Sequence, residues 1–187
     1  MSDKPQARKR QPEYVRQQLL SSAARLAVEK GPASVTVSAV AEAAGVTKGG
    51  FFHHFPSKQA LVEGLFDEVI RQLDHDIDQF IAVDSLDYGC FSRAYIRTVF
   101  LDSHTENSWA VLSFTLGSDT QLTRKWDSWL ANRLEQHQHT DSDPQLEVAR
   151  LASDGLWFSS LLHRVRTTEL FPHMEQRLVA MTLTAAG

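Results

Sequence analysis

The chain has 187 residues, room for one sizeable hydrophobic core or for a small domain joined to a larger one. Its hydrophobic fraction of 42% and charged fraction of 22% are ordinary for a soluble globular protein. No apolar run approaches a membrane span, MSDKPQARKRQ has no signal-peptide core, and a lone Cys90 excludes an internal disulfide; a cytoplasmic location is expected.

The net charge of −4 hides an asymmetry. Residues 1–60 hold nine Lys/Arg against four acids, giving +5, and the remainder holds ten against nineteen, giving −9. A basic head on an acidic body suits a nucleic-acid-binding module joined to something else. Helical periodicity recurs nearly everywhere, with Gly and Pro at its breaks, so the fold class expected is all-α.

Residues 1–11, with Lys4, Arg8, Lys9 and Arg10, read as a disordered basic arm, either a solvated tail or a reach toward DNA. Pro12 is expected to open a helix whose Val15, Leu19, Ala23, Leu26 and Ala27 share one face, until Gly31-Pro32 stops it. The stretch VTVSAVAEAAGVTKGGFFHHF, Val35 to Phe55, then has the spacing of a helix-turn-helix. Thr36 caps the first helix, Gly45 supplies the left-handed residue that ends it, and Thr47 caps the second, which would enter a DNA major groove.

Lys48 and Lys58 both fall in the first turn of a helix, where the backbone dipole disfavours a cation. No acidic residue lies between Glu42 and Glu63. Two such placements ten residues apart point to an outside polyanion. Glycine weakens a helix by about 1 kcal/mol relative to alanine, so Gly49-Gly50 needs a reason: close backbone approach to DNA, or a tight first turn.

The run AEAAGVTKGGFFHHFPSKQAL closely resembles the N-terminal signature of the tetracycline-repressor-like (TetR) regulators. The match is dense from about Pro12 to Leu65, and beyond that it is one of helical plan only. Phe52-His53-His54-Phe55 departs from the family's frequent His-Tyr or Tyr-His, so base preference does not carry over. The resemblance implies a DNA-binding domain over residues 12–56, a helical ligand-binding and dimerisation domain over 57–187, and double-stranded DNA, a small-molecule effector and a second copy as partners. Thr36, Thr47, Lys48, Gly49, Gly50, Phe52, His53 and Lys58 are the expected DNA contacts, and Phe51 and Phe55 the expected core plugs.

Past Pro56-Ser57, one long helix to about Ile81 is expected, with Leu61, Leu65, Val69, Leu73 and Ile77 every four residues. Helices follow over about 85–105, from Asn107 or Ser108 to Gly117, and from an Asp119 cap. Tyr95, Trp109, Phe114, Trp126 and Trp157 either fill the core or wall a cavity for an apolar or cationic aromatic molecule. Asp143-Pro144 opens a helix to about Arg164, and Pro172 the last one. Small and apolar positions on this pair, Ala152, Gly155, Leu156, Ser159, Met174, Leu178 and Met181, are the expected dimer contacts, forming a four-helix bundle with a partner's pair.

Histidine pairs offer no metal site in this reading. His53-His54 diverge by about 100° on a helix, and His137-x-His139 is off-face too. No cofactor and no catalytic residues are assigned. The reading is a ligand-released repressor on a palindromic operator. Its alternatives are an activator or ligand-free regulator of the same fold, or a small helical enzyme.

Overall fold

The computed structural model describes residues 4–101, 119–163 and 165–184, and among these the regular structure is helical without a strand. The expected helix from Asn107 or Ser108 to Gly117 lies outside them. The chain forms two compact units, one running to Val69 and one starting at Ile70. None of the described helices is long and apolar enough to cross a membrane.

The first unit contains α1 (Lys4–Lys30), a 3-10 turn (Pro32–Ser34), α2 (Val37–Ala43), α3 (Lys48–His54) and the start of α4 (Lys58–Ala82). Three hydroxyl caps set its helix starts. Thr36 Oγ1 accepts from Ala39 N at 3.2 Å, Thr47 Oγ1 from Gly50 N at 3.0 Å, and Ser57 Oγ from Ala60 N at 3.0 Å. Gly45, at φ +68°, ends α2. Its N–H donates to Glu42 O at 3.0 Å and that of Val46 to Ala41 O at 2.9 Å, the two-bond stop in which a left-handed glycine satisfies the last carbonyls. Leu19, Leu20, Ala23, Leu26, Val40, Phe51, Phe55, Leu61 and Leu65 close one apolar core across these helices.

One boundary differs from expectation. Helix α1 begins at Lys4, so Pro12 lies inside the helix rather than opening it. Gln, Ala, Arg and Lys are good helix formers, while Pro12 lacks the N–H that would bond the carbonyl of residue 8, a cost of about 3 kcal/mol in a helix interior.

The second unit takes the rest of α4 and adds α5 (Cys90–Val99), α6 (Thr120–Gln136), α7 (Gln138–Asp141), α8 (Pro144–His163), α9 (Thr167–Leu170) and α10 (Met174–Ala180). Helix α5 starts at Cys90 rather than Ser85. Gly89 turns the chain there at φ +69°, and a Cβ on it would lie 2.7 Å from Thr182 O. Only glycine fits that corner. Asp119 caps α6 by accepting from Gln121 N and Leu122 N, and Asp143 accepts from Gln145 N at the start of α8. Ile96, Val99, Phe100, Ala149 and Leu178 form an apolar cluster, with Leu156, Trp157, Met174 and Met181 packed against it.

Polar groups are also buried in this unit. Arg93, 1% exposed, donates from Nε to Asp84 at 2.6 Å, from Nη2 to Leu86 O, and from Nη1 to Tyr88 O and Thr182 O. It fastens the 84–88 loop to the C-terminal segment. Helix α5 receives its cap from far away in sequence: Asp141 accepts from Phe91 N at 3.2 Å and from Ser92 N at 2.8 Å.

Candidate nucleic-acid interface and body cleft

The first unit separates the residues of α3 into two sets. Phe51 and Phe55 are buried, and the Arg16 guanidinium lies 5.2 Å from the Phe55 ring centroid. Lys48, Gly49, Phe52 and His53 are exposed, Phe52 to 51%, and so are Thr47 and Lys58 at the two helix starts. Thr36 is exposed as well, with its hydroxyl engaged in capping. Burial, the neighbouring His53 and Arg16 depress the His54 pKa, which favours its neutral form.

The two glycines are not required by the fold. Neither has a left-handed φ, and a Cβ on Gly49 would meet only Thr47 Oγ1 at 3.7 Å, while one on Gly50 would find ordinary contacts at 3.5 Å. A side chain would fit the isolated chain at both places.

In the second unit a cleft of about 520 Å³ opens beside α5, α6 and α8. Tyr95, Leu130, Leu134 and Leu151 supply its apolar wall, and Glu135, Glu147 and Asp154 face it with Arg150. Tyr95 Oη donates to Asp154 Oδ1 at 2.7 Å. Burial, opposed by that hydrogen bond and by Arg150, pushes the Asp154 pKa up to about 6. Burial and the Asp154 charge raise the Tyr95 phenol well above its usual value.

Of the five aromatic candidates, Tyr95 stands in this wall. Trp126 does not; its ring packs on Trp129 at 4.9 Å, and Trp129 Nε1 donates to Asp74 Oδ1 at 2.8 Å. Trp157 does not either, because it packs on the α5–α8–α10 cluster. Trp109 and Phe114 lie outside the described residues.

The seven expected dimer contacts also divide. Leu178 is buried in the chain's own core, and Ala152, Leu156, Met174 and Met181 pack against that core, so these side chains serve the single chain first. Gly155 is exposed with open space around it, and Ser159 is half-buried. A different set on α8 is bare: Val148, Leu151, Phe158 and Leu162 are each more than half exposed. With Gly155 they recur at alternating steps of three and four, the spacing of a seam between helices.

The fold assembles one group that no local motif announces. Cys90 Sγ lies 3.9 Å from His137 Nδ1 and 3.9 Å from Asp141 Oδ2. Burial holds the Cys90 thiol up, toward its protonated form, and burial with Arg133 holds His137 down, toward neutrality. The histidine pairs considered from sequence missed this cluster, whose members stand 47 and 51 residues apart.

A small apolar-cored head with an exposed glycine-lysine helix, and a helical body with its own cleft, are the parts of a helix-turn-helix protein that carries a second helical domain. Residues 19–65 match the family described as bacterial regulatory proteins, tetR family, and residues 89–183 match the tetracyclin repressor-like C-terminal domain. The chain belongs to the TetR family of DNA-binding transcription factors, which are not enzymes. It is 26% identical over 170 residues to the HTH-type transcriptional regulator BetI of Stenotrophomonas maltophilia, covering 91% of this chain and 76% of that one. It is 32% identical over 101 residues to the probable HTH-type transcriptional regulator ArpR of Pseudomonas putida, covering 52% of this chain and 48% of that one. The match thus spans about half the length of the Pseudomonas relative. A crystal structure of a transcriptional regulator from Rhodococcus sp. Rha1 shares the fold at a TM-score of 0.71 and 16% identity, over 89% of this chain and 93% of that one.

Proposed function

We propose that this regulator is a homodimeric, cytoplasmic repressor that holds a palindromic operator and leaves it when a small organic molecule enters the body. The observation that carries the DNA half is the exposed face of α3. Gly49 and Gly50 answer to no packing or φ requirement of the chain itself, and they sit between Lys48 and His53 in a stretch of sequence without Asp or Glu from residue 43 to 62. Backbone approach to a groove accounts for them. Thr36, Thr47, Lys48 and Lys58 then take phosphates, while Gly49, Gly50, Phe52 and His53 lie nearest the base edges.

The seam on α8 supports the dimer. Two heads on one duplex call for half-sites about one helical turn apart. Tyr95 and the leucines of the cleft suit an aromatic effector, and the carboxylates beside them favour one with a positive charge. The test is selection and sequencing of genomic DNA bound by the full chain, followed by titration of the selected site against salt. Affinity should fall about 10³-fold or more between about 50 and 200 mM salt, and a library of aromatic cations and neutral aromatics should contain a compound that quenches tryptophan emission and releases the site. Enrichment without a palindrome would count against the dimeric operator. Compounds that bind without changing DNA affinity would leave a cavity with no coupling, and so a ligand-free regulator or an activator.

A further inference from the structure

We infer that Cys90, His137 and Asp141 form a binding site for one zinc ion per chain. The three donors come from separate elements: the first residue of α5, the residue joining α6 to α7, and the last residue of α7. Their ligand atoms nevertheless converge, all within 4.8 Å of one another. Tetrahedral zinc bonds of about 2.3 Å to sulfur and about 2.0–2.2 Å to nitrogen and oxygen place such donors roughly 3.3–3.6 Å apart. The two separations from Cys90 Sγ are 3.9 Å each, a few tenths of an ångström too long, and His137 and Asp141, within 4.8 Å of each other, must also draw together for the three donors to close on an ion. One thiolate, one imidazole and one carboxylate suit zinc, and are poor company for calcium or magnesium, which take oxygen.

Capping alone does not account for the group. Asp141 needs only its carboxylate to hold Phe91 N and Ser92 N, and that duty calls for neither a sulfur nor a ring nitrogen beside Oδ2. The two carboxylate oxygens are also unequal. Oδ1 takes both Ser92 N and Ser92 Oγ, and Ser92 Oγ in turn accepts from Arg150 Nη1. Oδ2 accepts from Phe91 N and faces Cys90 and Thr140, and the Thr140 hydroxyl has a second acceptor in His137 O at 3.1 Å. That hydroxyl can turn away, leaving Oδ2 a lone pair for metal. Phe91 stacks on the His137 ring at 5.3 Å and 11°, fixing its plane. These are the orienting contacts that outer-shell groups give metal ligands. Binding moves one proton, from the Cys90 thiol to solvent, as the sulfur becomes a thiolate ligand. Asp141 also lines the cleft, and a water would complete the four-coordination.

The experiment uses full-length protein freed of metal by a chelator, titrated with cobalt(II) and then zinc(II). One equivalent of cobalt should produce a thiolate-to-metal charge-transfer band with the visible absorption of a four-coordinate ion, and zinc should bleach both. Cys90→Ser should abolish the charge-transfer band, and His137→Gln should weaken binding at least tenfold. His139→Gln, two residues away on α7, should change nothing. Zinc should also raise the melting temperature of the wild type and not of Cys90→Ser, with circular dichroism confirming that both are folded. Cobalt spectra without a thiolate band, a band that survives Cys90→Ser, or zinc uptake unaltered by His137→Gln would overturn the site.

Discussion

The head and the body solve burial in opposite ways. In the head the buried side chains are apolar apart from Ser22, and the charged groups and hydroxyl caps stand outside, as Lys48 and Lys58 do. In the body Arg93, Asp141, Arg150, Ser92 and Ser153 are buried together with the hydrophobic residues. A buried charge is tolerated only when its hydrogen bonds are met, so the body is specified by partners as well as by shape. The head needs its surface for something else, and its interior needs only to fit.

The sharpest way to break this contrast is to remove a charge from the body. Arg93→Met should destabilise the second unit by about 3–5 kcal/mol, because Asp84 and three carbonyls lose their donor at once. Chemical denaturation followed by tryptophan emission measures it, since the described tryptophans, Trp126, Trp129 and Trp157, lie in the second unit. In the head the equivalent damage is a void: Phe51→Ala should cost about 3–5 kcal/mol, the usual toll for emptying an aromatic core position. A mild effect from either would mean that the two interiors are less different than their contents.

Surface changes should spare folding and strike assembly or binding. Val148→Glu with Phe158→Glu should leave helix content intact and move sedimentation from dimer to monomer, since two carboxylates would be desolvated in the seam. Lys48→Ala with Lys58→Ala should weaken binding to all DNA sequences alike and flatten the salt dependence by about two phosphates per head. Retained affinity in that double variant would remove the lysines from the interface.

The smallest effect tests the cleft. The Asp154 carboxyl titrates at about 6 in the fold, above its ordinary 3.8, so its contribution is complete below the lower value and is lost as pH rises through the higher one. The groups facing it are Tyr95, which donates to it, and Arg150. Asp154→Asn should therefore match the wild type below about pH 4 and exceed it above about pH 7, by on the order of 1 kcal/mol once the lost attraction to Arg150 is set against the relief of burial. Thermal melts across that range read it directly.

What could be foreseen from sequence follows the same division. Thr36, Thr47, Ser57 and Gly45 each act on a backbone group within a few residues, so their roles were visible in the linear order. The start of α5 was placed five residues too early because the corner at Gly89 is set by Thr182, far along the chain. Cys90, His137 and Asp141 were not recognisable as neighbours for the same reason. Trp126 and Trp157 show a further limit: helical spacing tells that an aromatic is inward, but not whether it meets a cleft or a core. The α8 seam was legible as a repeat of threes and fours. The small residues Ala152 and Ser159 on the neighbouring face compete with it.

The long-range cap on α5 bears on the order in which the protein comes into being. Helices α2, α3 and α4 carry their caps within three residues, so each can close its first turn as soon as it leaves the ribosome. Helix α5 waits for Asp141, roughly fifty residues later, and bringing that carboxylate home costs the entropy of closing a long loop. During synthesis the head should thus be structured while α5 is still frayed, with Phe91, Tyr95 and Ile96 open to solvent and to chaperones. Pulse-labelled hydrogen exchange during refolding should show amides of α2 and α3 protected first, and those of Phe91 and Ser92 only when Asp141 arrives.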